Sequence, residues 1–313
     1  MNNIEKYKLK DIGKWEDRIY DHVCTFGAGK DDLPTEKNRY RLIGTADDAF
    51  TQYIRIILRL EKLDDIISVG LLNYLRPENG SADHEFSLCE NGTDPVLGTH
   101  SLSEIYELTG SRSADHTIPV LVDRTTGKIV INDPFGLSEQ LEGIWRSTFS
   151  QEAVQLRPAG LRSSTEAHIS EIFSNLFAEG YRAGYATEQI DYDKGYCAVF
   201  AQLDRYEKLL SDRRYLLGDI LTDADILLFT FLVRFDIQYA SGFRLNRNFL
   251  RDLPNLYRYS HELYCMDAFR ETTDLEAVKK HTFFDRLVTN PYNKLPLGPD
   301  ISDWENYRKE SER

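Results

Sequence analysis

The chain predicts two consecutive domains of different class, an α/β domain followed by an all-α domain. Strand-length apolar runs are confined to the first half: Tyr40-Arg41-Leu42-Ile43, Ile66-Ile67-Ser68-Val69-Gly70-Leu71-Leu72, Ile118-Pro119-Val120-Leu121-Val122 and Lys128-Ile129-Val130-Ile131. Helical periodicity dominates the second half, where strand signals nearly vanish. A Pro/Gly/Ser-bearing stretch at 148–163 reads as the linker between them. Length agrees, since 313 residues at about 150 per domain give roughly two domains, and 41% apolar residues suffice for real cores.

Residues 1–36 are polar, with Gly27-Ala28-Gly29-Lys30-Asp31-Asp32 too poor in periodic apolar positions for a core element, and read as an arm. The first domain spans 37–147. Its first strand precedes Asp47-Asp48 and an apolar series at helical spacing, Phe50, Ile54, Ile57, Leu58 and Leu60. The second strand follows, and a right-handed crossover through one helix makes the two strands parallel. A long polar insert, 73–117, carries one short helix from Leu102 to Leu108, and long connections of this kind are often binding segments. The last two strands flank Asp123-Arg124-Thr125-Thr126-Gly127 as a hairpin, and Leu137, Leu141, Ile144 and Trp145 supply a closing helix.

The helical domain spans 164–285, with a tail at 286–313. Ile169, Ile172, Phe173, Leu176 and Phe177 form one amphipathic series, and Val199, Phe200, Leu203, Tyr206, Leu209 and Leu210 another. In Leu221-Thr222-Asp223-Ala224-Asp225-Ile226, Thr222 can cap a helix while Asp225 returns a bond to the cap backbone, with Leu221 and Ile226 as the hydrophobic staple. Ile226 to Val233 is apolar on nearly every side and belongs at the centre of that domain.

Charge and composition exclude several classes. With 38 Lys+Arg against 51 Asp+Glu the formal net charge is −13, and without a basic run nucleic acid is not an expected partner. No stretch approaches the roughly 20 apolar residues of a membrane span, and the polar start lacks the apolar segment of a secretion signal, so a cytoplasmic location is expected. Cys24, Cys89, Cys197 and Cys265 form no Cys-x-x-Cys pair, and the seven His are dispersed along the chain; neither a disulfide framework nor a metal site is expected.

A β-α-β, β-β-α first half with Ile118-Pro119 before its third strand, joined to a helical half with this capping box, resembles the glutathione transferase superfamily. Tyr181-Arg182-Ala183-Gly184-Tyr185-Ala186-Thr187, Leu216-Leu217-Gly218, Val233-Arg234-Phe235-Asp236, Leu253-Pro254-Asn255-Leu256 and Asn290-Pro291 with Gly298-Pro299 are similar to the Xi class, the glutathionyl-hydroquinone reductases. The resemblance runs from about Arg39 to Pro299. It implies a thioredoxin-like N-terminal domain, a helical glutathione transferase C-terminal domain, a small-molecule ligand and a homodimer.

In that family a Cys-Pro-Trp-Ala tetrapeptide opens the first helix, and its thiolate accepts the glutathionyl group as a mixed disulfide. The resemblance places Asp48-Ala49-Phe50-Thr51 there, so the nucleophile is missing: a carboxylate forms no disulfide and repels a thiolate. Asp48 also has an ordinary reading as a helix cap, and a sharper one as a general base or an anchor for a cationic group. The matching ligand-binding positions are Phe50, Glu78, Asn79, Ser81, Ile118, Pro119 and Asp133. Of these, Ser81 stands in place of a Trp beside glutathione, and Asp133-Pro134 in place of a Glu-Ser pair, keeping a carboxylate but losing a hydroxyl and one N–H. His281-Thr282-Phe283 matches a His-Tyr-Tyr run. Pro119 is expected to be cis and to aim the Ile118 backbone at an extended ligand. Tyr181 matches a tyrosine that hydrogen-bonds a quinol oxygen, with a packed interhelical aromatic as the alternative.

A lost hydrogen bond to a charged group costs roughly 1.5 to 3 kcal/mol and a lost aromatic wall about 1 more, so weak or absent glutathione binding is expected and no cofactor is required. The expectation is a divergent transferase with an altered ligand and no glutathionyl-hydroquinone reductase activity, with a non-catalytic binding or scaffold protein as the alternative.

Overall fold

The computed structural model describes residues 20–77, 83–111, 116–284 and 290–311. The chain divides into two compact units: one formed by 20–155 with Thr272–Ala277, the other by Leu156–Glu271 with 278–311.

The first unit is built on a mixed sheet of order β2-β1-β3-β4, with β1 Tyr40–Thr45, β2 Ser68–Leu72, β3 Val120–Asp123 and β4 Lys128–Ile131. β1 and β2 are parallel, connected through α1, Ala49–Leu60; β3 runs antiparallel to β1 and to β4. The expected β-α-β, β-β order is therefore present. Every residue of β1 is buried, as a strand covered on both faces requires.

The polar connection after β2 is ordered where it is described. Its helix α2, Leu102–Thr109, starts at Ser101 and ends on Gly110 in the left-handed region (φ 77°), which glycine adopts without a Cβ clash. Phe86, Ile105 and Tyr106 pack with Ile43, Leu72 and Val120 into one core cluster. Arg41 of β1 pairs with Asp94 of the connection at 2.8 Å, both buried. A Cβ on Gly70 would lie 2.6 Å from the Asp94 carboxylate, so only glycine admits this pair beside β2.

Residues 20–36, where the sequence shows no apolar periodicity, nevertheless complete this unit. Cys24 N donates to Val130 O and Asn132 N to His22 O, covering the β4 edge with an antiparallel bridge, Val23 to Ile131. Phe26 is buried edge-on against Tyr40 and Trp145, at 5.0 and 5.2 Å. The helix α3, Pro134–Gln140, follows β4, and α4, Arg146–Phe149, continues it through the wider-turned Leu141–Trp145.

The second unit is helical: α5 Arg162–Ile172, α6 Glu179–Gly184, α7 Gln189–Leu209, α8 Asp223–Leu232, α9 Pro254–Tyr264, α10 Asp267–Arg270, α11 Leu275–Phe284, whose first three residues lie in the other unit, and α12 Asp303–Ser311. All ten residues of α8 are buried, as its all-round apolar character predicts. Its capping box forms: the Asp225 carboxylate accepts from Thr222 N at 2.8 Å and from Thr222 Oγ1 at 2.7 Å. Among the described residues no helix is long and apolar enough to cross a membrane.

Candidate functional site

In the α/β unit, two helix starts and one strand entry hold the residues expected at the ligand. Asp48 is the N-cap of α1: its Oδ2 accepts from Thr51 N at 2.6 Å and from Thr51 Oγ1 at 2.7 Å. Asp133 is the N-cap of α3, where its Oδ1 accepts from Phe135 N at 3.0 Å and Pro134 occupies the first helical position. A Cβ on Gly136 would lie 2.8 Å from Asp133 Oδ2, so the glycine makes room for the carboxylate over the first turn. Each cap places one of the chain's own negative charges at the positive end of a helix dipole.

The two starts lie side by side. Phe50 and Phe135, each two residues beyond its cap, meet edge-on at 5.7 Å, and one turn further Tyr53 donates to Ser138 Oγ at 3.0 Å. Phe50 is buried; at that position it is a packing residue between α1 and α3.

The Ile118–Pro119 peptide is cis. Val120 pairs with Ile43, but Ile118, two residues earlier, lies outside the ladder and makes no backbone hydrogen bond among the described residues. Its side chain packs against the core cluster of Ile43, Phe86 and Tyr106. The main-chain N–H and C=O of Ile118 are thus fixed by packing and find no backbone partner among the described residues. Glu78, Asn79 and Ser81, the other expected ligand contacts in this unit, lie outside the described residues.

Tyr106 and Asn132 were not singled out by the sequence. The Tyr106 hydroxyl donates to Thr117 O at 2.9 Å and lies 3.0 Å from Thr117 Oγ1; its ring stacks on His116 at 4.6 Å. Burial pushes the Tyr106 phenol above its ordinary pKa, so it remains a neutral donor. Asn132 Nδ2 donates to Asp21 Oδ1 at 3.0 Å and its Oδ1 accepts from His22 N at 3.1 Å. The strand entry and the covered β4 edge are tied down by these contacts, whose partners in the second case are 110 residues apart in the chain.

Cys24 is exposed and burial raises rather than lowers its pKa; Cys89 packs against the core cluster beneath α2. No group of three or more His, Cys, Asp or Glu able to hold a metal occurs among the described residues.

In the helical unit, Tyr181 on α6 is half-buried and its hydroxyl accepts from Gln238 Nε2 at 3.0 Å. Tyr185 stacks beside it at 5.9 Å, and Phe243 and Tyr239 approach edge-on at 5.2 and 6.3 Å. Gln238 belongs to Phe235–Gly242, a wide-turned π-type segment. Thr282, in the run matched to His-Tyr-Tyr, is buried and abuts Gly242, where a Cβ would lie 2.5 Å from its methyl carbon.

Comparison with known proteins now bears on this arrangement. Residues 192–262 match the family model described as the glutathione S-transferase C-terminal domain. Glutathione S-transferase omega-like 2 of Schizosaccharomyces pombe is 30% identical over 84% of this chain and 86% of its own. The chain belongs to the glutathione transferase superfamily. Among other relatives of this transferase-superfamily chain, the glutathionyl-hydroquinone reductase YqjG of Escherichia coli is 29% identical over 92% of this chain and 94% of its own. The glutathione-bound structure of that protein aligns with a TM-score of 0.82, covering 93% of this chain and 96% of the other at 28% identity. The Xi transferase of Phanerochaete chrysosporium aligns with a TM-score of 0.83 over 90% and 96% of the two chains, also at 28% identity. The expected superfamily, its Xi-class and reductase homologues and the two-part fold therefore hold.

Proposed function

We propose that this is a divergent transferase of the Xi type that lacks glutathionyl-hydroquinone reductase activity and takes an altered ligand. The observation that carries the reading is the N-cap of α1. Asp48 provides no sulfur for a mixed disulfide, and its carboxylate is bound to the backbone of the helix it caps. Accepting a glutathionyl group requires a nucleophilic sulfur that forms an S–S bond as the quinol leaves; oxygen in a carboxylate does not do this.

The second cap supports weakened glutathione binding. Asp133 directs a carboxylate oxygen at its own helix, and Pro134 has no N–H to offer a ligand carboxylate. Two carboxylates at adjacent helix starts disfavour an anionic ligand and leave those helix ends poor anion sites. The main chain of Ile118, outside the ladder, still suits an extended, amide-bearing ligand, whose backbone could pair with it as a short strand. Tyr181, positioned by Gln238, is the candidate for hydrogen-bonding an aromatic co-substrate.

Two measurements on the purified protein test the reading. Turnover of a glutathionylated hydroquinone is expected to be indistinguishable from a blank and unaffected by thiol alkylation; thiol-sensitive turnover overturns it. Calorimetric titration with glutathione is expected to show no saturation below the millimolar range, and a micromolar Kd would show that the lost contacts were overvalued.

A further inference from the structure

The C-terminal segment 298–308 lies along α9 in a seat centred on a buried histidine. His261 Nδ1 lies 2.8 Å from Tyr257 O, so Nδ1 carries the proton and Nε2 presents a lone pair. Nε2 is buried, has no hydrogen-bond partner among the described residues and lies 3.8 Å from Asp303 Oδ2. Trp304 stacks face to face on the imidazole, 4.0 Å between centroids with planes 4° apart, and Tyr307 touches it at 4.8 Å. Tyr257 OH donates to Asp303 at 3.1 Å and Tyr264 OH to Glu305 at 2.9 Å. Lys279 holds the preceding loop through Leu297 O at 2.7 Å.

The seat has a second wall. The small cavity beside His261 is lined by Pro299, Ile301, Asp303 and Trp304 from the C-terminal segment and by Asp236 and Ile237 from the π-type segment. The next two residues of that segment, Gln238 and Tyr239, face the Tyr181 cluster. One short stretch of backbone therefore faces the C-terminal segment across this cavity on one side and Tyr181 on the other. Its wide-turn hydrogen bonds, such as Phe243 N to Gln238 O at 2.8 Å, are intrinsically poorer than α-helical ones and need tertiary packing to persist. A one-residue relaxation towards α-helical spacing would rotate Gln238 by about 100° about the axis.

We propose that the C-terminal segment 298–308 is a strap that positions Tyr181: by seating Trp304 on His261 it holds Phe235–Gly242 in its wide turn and keeps the Gln238 amide on the Tyr181 hydroxyl. Trp304, His261 and Gln238 are positioning residues in this arrangement. That Tyr181 meets a ligand rests on the reading above; the coupling itself does not. Burial holds the His261 pKa down to about 4 and pushes Asp236 up to about 6, so both groups favour their neutral forms in the seat.

The test uses the full-length protein without ligand. The Tyr181 carbon-13 ring signal is assigned by its disappearance in Tyr181→Phe, and hydrogen exchange is followed over 233–245 and 298–311. Trp304→Ala is expected to accelerate exchange at least about tenfold in both segments and to shift the Tyr181 signal, whereas Trp304→Phe, which still stacks, restores both. Gln238→Ala should shift the Tyr181 signal and leave the strap protected. Should Trp304→Ala not fold, Asp303→Ala with Glu305→Ala loosens the strap from its polar edge and serves in its place. A strap that exchanges faster while 233–245 and the Tyr181 signal stay as in the wild type overturns the proposal. Because no ligand is involved, that result would leave the proposed function standing.

Discussion

The starts of α1 and α8 use one chemistry in two settings. Both place an aspartate where it accepts from a Thr hydroxyl and from backbone N–H within the first turn. In α8, Asp225 is fully buried and also accepts from Leu216 N at 2.8 Å and Tyr259 OH at 2.9 Å. Burial raises its pKa and those donors oppose the rise. In α1, Asp48 is half-buried, at the position where relatives of the Xi type were expected to carry sulfur. The same local bonding is thus a fully buried joint in one unit and, in the other, a half-buried helix cap at the position the resemblance gives to the nucleophile. Burial, rather than residue type, separates them.

The comparison breaks first on activity. Asp48→Cys puts a thiol at a helix N-terminus, but with Ser81 and Pro134 unchanged its glutathionyl-hydroquinone reductase rate is expected to stay at least about tenfold below that of an active relative assayed in parallel. Equal rates would mean that the cap residue alone divides the two proteins. On stability, Asp225→Ala strands four buried donors and is expected to cost about 3 kcal/mol or more in urea unfolding, or to abolish soluble folding. Asp48→Ala should cost only about 1 kcal/mol, and Asp48→Asn, also a good cap, less than about 0.5. Comparable losses at Asp48 and Asp225 would show that burial is not the deciding variable.

A pH series sharpens the same point at a second pair of buried groups. Asp236, raised to about 6, contributes stability that is full below about pH 4 and is lost as pH rises through 6. His261, lowered to about 4, contributes stability that is present above about pH 6.5 and is lost as pH falls towards 4. Between pH 4 and 6 the two slopes oppose each other. His261→Gln should expose the Asp236 slope, and Asp236→Asn the His261 slope, each up to about tenfold per pH unit in the unfolding constant relative to wild type. Parallel profiles for both variants would remove the assignment. Tyr106→Phe is expected to cost about 1 kcal/mol by denaturation, from the unmade bond to Thr117.

Much of the fold was legible where the signal is local. Strand-length apolar runs and helical spacing around Asp48 placed β1, α1 and β2, the Gly127 turn placed the β3–β4 hairpin, and Thr222 with Asp225 announced α8. Asp48 as a cap was readable for the same reason. Asp133 was read as a ligand carboxylate, although an Asp directly before a Pro at the first helical position is itself a helix-start signature. Four features carry no local pattern: Phe26 in the core, Tyr106 beneath the strand entry, Gln238 on Tyr181, and Gln52 donating to Thr273 at 2.7 Å across 221 residues. Such pairings depend on where the backbone returns to itself.

By composition and periodicity alone, then, the chain settled its two-part architecture, its lack of an apolar membrane-length helix and the absence of sulfur at the start of α1, because each of these is a property of residues within a few positions of one another. Which carboxylates are consumed as caps, which strand entry lies outside the ladder and which helix sits on His261 were decided only by the folded chain. Those outcomes depend on burial and on partners tens to hundreds of residues away, and no local sequence pattern encodes either.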